Sequence, residues 1–189
     1  FKHFQTKYNF ALCIFRHWWH HLGRLDELMS RIFIKHQEEG IRYVEYRALA
    51  PHSNKSPEAL IHFHSNMATA IKNACNKNFS ARYIISLPRS APLECYKIIR
   101  KWLEERKDLF PFVVGFDLCH FEEGYPPSST YTFFEQLNAD NKNNPTHHLD
   151  VVYHVGEVFF DKSIESAVRW CHEAVKLGVK RLGHCLALG

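Results

Sequence analysis

Two short runs hold the residues best suited to chemistry: Tyr153-His154-Val155-Gly156-Glu157 and Arg181-Leu182-Gly183-His184. Each places a histidine where an apolar run ends. A neutral imidazole at a strand terminus can serve as a metal ligand, and a carboxylate three residues later, past a glycine, reaches the same space. Together the three groups offer what a metal-activated water requires: a ligand, a base and a proton donor. Taken singly, each has a plainer reading. His154 or His184 is then a structural histidine with its hydrogen bonds satisfied, and Glu157 a loop carboxylate.

Two other histidine groups lack this setting. The H-x-H spacing of Ile61-His62-Phe63-His64 suits a metal on a strand, where residues i and i+2 share a face. The surrounding periodicity is helical, however, and on a helix the two rings diverge by about 200°. Both therefore read as surface histidines. The cluster His17, Trp18, Trp19, His20, His21 can pair two imidazoles on one helical face, but no third ligand is near in sequence. These read as solvated or interface histidines.

The elements that must position His154 and His184 follow from periodicity. Apolar residues at Phe1, Phe4, Tyr8, Leu12 and Phe15, then at Leu25, Leu28, Ile32 and Phe33, predict two helices broken at Gly23. Residues 41–47 alternate as a strand and lead into the loop Ala50-Pro51-His52. Ser56-Pro57-Glu58 is a cap followed by proline at the first helical position, and Leu60, Phe63, Met67 and Ile71 continue that helix. A strand at 81–87 follows. Ser90-Ala91-Pro92 opens a helix to about Lys107, and 112–118 is another strand. A looser helix at 131–137, a polar loop at 138–148 and a strand at 149–154 come next. Ser163 caps a helix that Gly178 stops, and 179–184 is the fifth strand.

Strands alternating with helices in this way predict right-handed crossovers and a parallel sheet. Charged or titratable residues close nearly every strand: Glu45 and Arg47, Arg89, Asp117, His154 with Glu157, and His184. Barrel enzymes gather chemistry at the carboxyl ends of several strands, whose tips converge on one mouth. A doubly wound nucleotide-binding sheet carries a glycine-rich turn instead, and neither G-x-G-x-x-G nor G-x-x-x-x-G-K is present. The expected fold is an α/β barrel.

Composition narrows the class further. The chain is 46% hydrophobic and 14% aromatic, ample for one domain's core and unlike a disordered tail. No apolar run approaches the roughly 18 to 20 residues that a membrane span needs, so a soluble protein is expected. The six cysteines are scattered without a C-x-x-C pair, which argues against a zinc ribbon and for buried free thiols in a reducing cytoplasm, so a cytoplasmic location is expected. The net charge of +4 is mild, and basic residues interleave with acids, as in Arg100-Lys101-Trp102-Leu103-Glu104-Glu105-Arg106-Lys107. That pattern reads as a solvated helix face rather than a nucleic-acid groove.

The same residues resemble the adenosine deaminases of the amidohydrolase superfamily. Gly40-Ile41-Arg42-Tyr43-Val44-Glu45-Tyr46-Arg47 is similar to that family's second barrel strand, and Gly115-Phe116-Asp117-Leu118 to its fourth. His154-Val155-Gly156-Glu157 is similar to H-A-G-E on strand five, and Arg181-Leu182-Gly183-His184 to R-I-G-H on strand six. Order and spacing agree for all four, so the resemblance spans essentially the whole chain. It implies a (β/α)8 TIM barrel of metal-dependent hydrolase type, with residues 1–189 forming a partial domain that carries strands two to six. It also implies Zn2+ as cofactor, with His154 as a ligand. Glu157 would protonate N1 of a purine, and His184 would orient and deprotonate the attacking water. The Gly115 N–H would bond purine N3, with Asp117 beside it as a second substrate-binding residue.

By the same resemblance an H-x-H pair should precede Phe1 and an S-L-N-T-D-D-P segment should follow Gly189, supplying the remaining zinc ligands. The chain is therefore expected to be a piece of a longer polypeptide. The unrelated cytidine-deaminase signature, H-x-E with P-C-x-x-C, is absent. Val155 stands for the family's usual alanine and Cys185 for its usual glycine, and the loop from Cys119 to Pro127 differs from the typical enzyme. The implied substrate is thus a small purine, adenosine or an adenine nucleotide, converted to the inosine form with release of ammonia. The run Arg181 to Gly189 looks closer to bacterial members, some of which belong to larger proteins acting in phage defence. Two alternatives stay open: an inactive deaminase-like assembly or ligand-sensing module, and a different amidohydrolase reaction on the same scaffold. An oligomer is compatible with either.

Overall fold

The computed structural model describes residues 2–17, 23–50, 56–158 and 160–189. Trp18, Trp19, His20 and His21, and the loop residues Pro51 and His52, lie outside them. Two helices, α1 (Lys2–Arg16) and α2 (Leu25–Glu38), precede the first strand, β1 (Tyr43–Leu49). The chain then alternates through α3 (Pro57–Ala74), β2 (Ser80–Pro88), α4 (Pro92–Glu105), β3 (Val113–Cys119), α5 (Tyr131–Asn143), β4 (Asp150–Val155), α6 (Ile164–Lys176) and β5 (Arg181–His184). No helix among the described residues is long and apolar enough to cross a membrane.

All strand pairs are parallel and run in the order β1-β2-β3-β4-β5, so each crossover moves one place along the sheet. That succession curls the sheet into a partial (β/α)8 barrel, with helices outside and a concave inner face. The curl brings the two edge strands together across this face, where the Arg181 guanidinium of β5 donates to the Glu45 carboxylate of β1. Glu45 is therefore not at the mouth. It meets the first residue of β5, at the amino end of the sheet, whereas its position in the sequence placed it among the groups converging on the carboxyl ends.

Period-two alternation assigns each strand residue to a face. Tyr83, Ile85 and Leu87 of β2, Phe116 and Leu118 of β3, and Val151, Tyr153 and Val155 of β4 are buried in the core. Helix residues Ile71, Ile99, Leu103, Phe133 and Leu137 belong to the same cluster. Tyr96, Phe116 and Phe133 form its aromatic centre, with edge-on ring pairs at 5.3 and 5.5 Å around Tyr96. Each such burial contributes about 1.5 to 3 kcal/mol. The intervening residues Ser86, Asp117 and His154 are left to the concave side.

Local start signals act as the sequence implies at α3 and α6. The hydroxyl of Ser56 accepts from the Ala59 N–H, and that of Ser163 from the Ser166 N–H, each at 3.3 Å. At α4 the cap position is Ala91, without a side-chain bond, so Ser90 does not serve. Residues 138–143, expected in a polar loop, continue α5 instead. The Asn141 side chain is buried and pairs with the N–H and carbonyl of Leu149 at 3.0 and 2.9 Å. Its polarity is spent on tying the helix to β4.

Two further expectations change. His64 is 0% exposed and bonds the Tyr83 hydroxyl at 2.6 Å, while only its H-x-H neighbour His62 reaches the surface. Arg100, read as part of a solvated face, is buried over the Phe110 ring and bonds Glu104 at 3.0 Å. Of the six free thiols, Cys95 and Cys171 are buried, Cys75, Cys119 and Cys185 half-buried, and Cys13 exposed.

Candidate active site

At the carboxyl ends of β2, β3, β4 and β5 the register aligns Ser86 with Asp117, Asp117 with Val152, and His154 with Gly183. The concave side chains at this level form a chain of contacts. Asp117 is 1% exposed. Its Oδ1 lies 2.8 Å from His154 Nδ1, and its Oδ2 accepts from the Ser86 hydroxyl at 3.2 Å. The Arg89 guanidinium, just past β2, packs over the Tyr153 ring at 4.9 Å and donates to the His154 carbonyl. Both the ring and the backbone of His154 are thus held.

His154 and His184 face each other with ring centroids 5.1 Å apart and planes at 45°. His184 Nε2 is 3.4 Å from Glu157 Oε2, so the three residues of the two sequence motifs meet in one place. The backbone bends sharply to allow this. Gly156 has φ +69, and His184 and Cys185 adopt φ +65 and +52, in the left-handed region that side chains seldom occupy. A Cβ on Gly156 would lie 3.0 Å from Cys171 Sγ and 3.4 Å from Cys185 Cα, so the turn after β4 is also packed against α6 and β5. Burial, with the neighbouring Cys185, pushes the Cys171 thiol up to about 12, and burial pushes that of Cys119 to a similar level. Neither is a thiolate at neutral pH.

Not every sequence-predicted residue joins this site. Gly115 lies two residues before Asp117 on the same face, about 6.6 Å nearer the amino end at the usual rise per residue. There it lines a groove with Glu45, Ile84, Asp150 and Arg181. Its lack of a side chain answers a packing need: a Cβ would stand 2.4 Å from the Asp150 carbonyl oxygen of the adjacent strand. Asp117 is at the right level, but both its oxygens are engaged by Ser86 and His154, so the carboxylate orients a side chain rather than facing open space.

Sequence reasoning missed Glu122, which lies in the loop after β3 and is 4% exposed. Its Oε1 accepts from Gly156 N–H at 2.9 Å, and its Oε2 from the N–H groups of Glu157 and Val158, both at 3.1 Å. No spacing rule signals such a contact, which spans 34 to 36 residues of chain. The acceptor is one of two adjacent acids in an unpatterned loop.

With a metal the donor set fits in part. A carboxylate can only accept, so the hydrogen between Asp117 and His154 sits on Nδ1, and Nε2 keeps the lone pair that a metal would use. Ligating histidines are commonly held by such a carboxylate. Among the described residues no group of three or more histidine, cysteine, aspartate or glutamate side chains is arranged to hold an ion.

Comparison with known proteins places the fold and the family. An adenosine deaminase of Streptomyces coelicolor is 40% identical over 72 residues, and one of Mycolicibacterium vanbaalenii 38% over the same length. These matches cover 38% of this chain but 15 and 16% of the relatives. Among solved structures, an adenine deaminase of Arthrobacter aurescens superposes with a TM-score of 0.61 at 16% identity, covering 86% of this chain and 45% of that one. An amidohydrolase of Burkholderia ambifaria with bound Zn superposes at 0.58 and 19% identity, covering 85% and 42%. The chain thus spans less than half the length of the solved proteins it matches. The family model for adenosine deaminase matches from residue 1 to residue 188, and the chain belongs to that family.

Proposed function

We propose that the protein hydrolytically deaminates a purine, adenosine or an adenine nucleotide, to the inosine form, with a zinc ion held in part by His154. The observation that carries this reading is the meeting of His154, His184 and Glu157 at one end of the sheet, with His154 oriented by Asp117. Zinc, when bound, supplies Lewis-acid activation that makes water a nucleophile near neutral pH.

The chain's own groups account for the proton movements. His184 takes the proton of the water that attacks C6. Glu157, 3.4 Å from it, delivers a proton to ring N1, which makes C6 electrophilic. Ammonia leaves with the proton gained by His184 as the C6 hydroxyl becomes a carbonyl, and the hydroxyl proton passes to the Glu157 carboxylate, which restores the acid. Asp117, Ser86 and Arg89 hold the imidazole of His154 in place and take no part in bond making.

The test is ammonia release by the intact protein over a panel of adenine, adenosine and its phosphates, with zinc content measured alongside. Glu157→Gln should lose turnover by about 100-fold or more while retaining metal, since general acid catalysis contributes on that order. Parental turnover in this variant would refute the proton-donor assignment. A zinc-loaded protein that releases ammonia from no purine would favour the ligand-sensing reading.

A further inference from the structure

We propose that Glu122 is a positioning residue that aims Glu157, clamping the turn after β4 from the neighbouring loop. The inference rests on the reading of Glu157 as proton donor. The Glu157 side chain is 43% exposed, and its carboxylate lies 3.4 Å from His184 Nε2. Its direction follows that of its backbone, whose N–H and those on either side of it are held by one buried carboxylate.

Three consecutive N–H groups, those of Gly156, Glu157 and Val158, converge on the two oxygens of Glu122 at 2.9 to 3.1 Å. Successive amides turned toward one point form a nest that suits an anion, and hydrogen bonds to an ionised acceptor are roughly twice as strong as neutral ones. The left-handed φ of Gly156 turns the amides inward, and the close approach of Cys171 and Cys185 behind Gly156 closes the opposite side.

One further bond ties the same two loops, and another braces the loop after β4. The Gly124 N–H, two residues after Glu122, donates to Asp161 Oδ2 at 3.2 Å. The Lys162 ammonium, with its side chain 5% exposed, donates to the Val158 carbonyl at 2.8 Å and lies over the Trp170 ring. The turn that carries Glu157 is thus gripped at its N–H groups by the loop after β3 and at a carbonyl by Lys162, just before α6. A displacement of about 1 Å at a reacting group can lower turnover about 100-fold, so the grip bears directly on catalysis.

Glutamine at position 122 conserves shape but offers one acceptor oxygen, and its NH2 opposes a backbone N–H. In the intact, zinc-loaded protein, Glu122→Gln should lower kcat about 100-fold with KM within threefold. Amide exchange at Gly156, Glu157 and Val158 should accelerate about tenfold or more, with exchange in β3 and β4 unchanged. A merely structural role would lower the melting temperature and the folded fraction and leave kcat per folded, zinc-loaded molecule unchanged. That outcome, or parental exchange at the three amides, overturns the proposal. Should the glutamine variant fail to fold, Glu122→Asp keeps the charge and shortens the reach. The same split of kcat from KM with faster exchange then supports the clamp, and parental values overturn it. The exchange measurement stands whether or not the parent deaminates a purine, so a failed assignment of activity and a failed clamp give different results.

Discussion

Asp117 Oδ1 lies 2.8 Å from His154 Nδ1, and this contact decides which nitrogen of the imidazole is available. The carboxylate accepts the Nδ1 hydrogen and leaves a lone pair on Nε2. An asparagine at 117 could turn its NH2 toward Nδ1, which would move the ring hydrogen to Nε2 and remove the lone pair. Asp117→Asn is therefore expected to lower zinc affinity about 10- to 100-fold, the usual effect of losing a carboxylate behind a ligating histidine. Competition with a chromogenic chelator measures this directly. Unchanged affinity would mean that Asp117 does not set the state of His154.

His64 supplies a prediction about acid stability. Burial pushes its imidazole down to about 3, so the folded protein keeps it neutral where the unfolded chain, titrating near 6.5, takes up a proton. Below about pH 6.5 the unfolded state binds more protons, and stability falls by up to about 1.4 kcal/mol per pH unit until the folded group also titrates. His64→Phe deletes this dependence. At pH 7.5 the variant should be less stable by about 1 to 3 kcal/mol, because the buried Tyr83 hydroxyl loses its partner. Between pH 7.5 and 5.0 the gap to the parent should narrow by about 2 kcal/mol in urea unfolding. A constant gap would show that His64 takes up a proton in the folded protein as readily as in the unfolded chain.

Much of this architecture was legible because it is written in local periods. Alternation of two and of 3.6 residues marked all five strands and the helices between them, and polar residues at strand ends marked the mouth. His154, Glu157 and His184 were found because each follows an apolar run within a few residues. His64 was misread although the signal existed: Leu60, His64, Met67 and Ile71 recur at helical spacing, so the imidazole lies on the buried face. Glu45 was placed at the mouth because a sequence shows that a residue is in a strand more readily than at which end. Glu122 was not legible at all. Its partners are backbone N–H groups, which every residue but proline carries, brought to it by the turn at Gly156 and the adjacency of β3 and β4.

Gly115 separates two explanations of one glycine. If its role were to offer an N–H to a purine, alanine would preserve it, since alanine carries the same N–H. The structure gives a different reason: a Cβ at 115 would meet the Asp150 carbonyl oxygen at 2.4 Å, far inside contact distance and against backbone that cannot rotate away. The β3–β4 pair must then separate at the register point where Gly115 faces Asp150. Gly115→Ala is accordingly expected to cost about 3 kcal/mol of unfolding free energy, at the upper end for overpacking a fixed interior. Since β3 and β4 carry Asp117 and His154, the same separation should weaken zinc binding as well. Denaturant titration of the zinc-free protein isolates the first effect, and parental stability there would show that the strands tolerate a methyl group at this position.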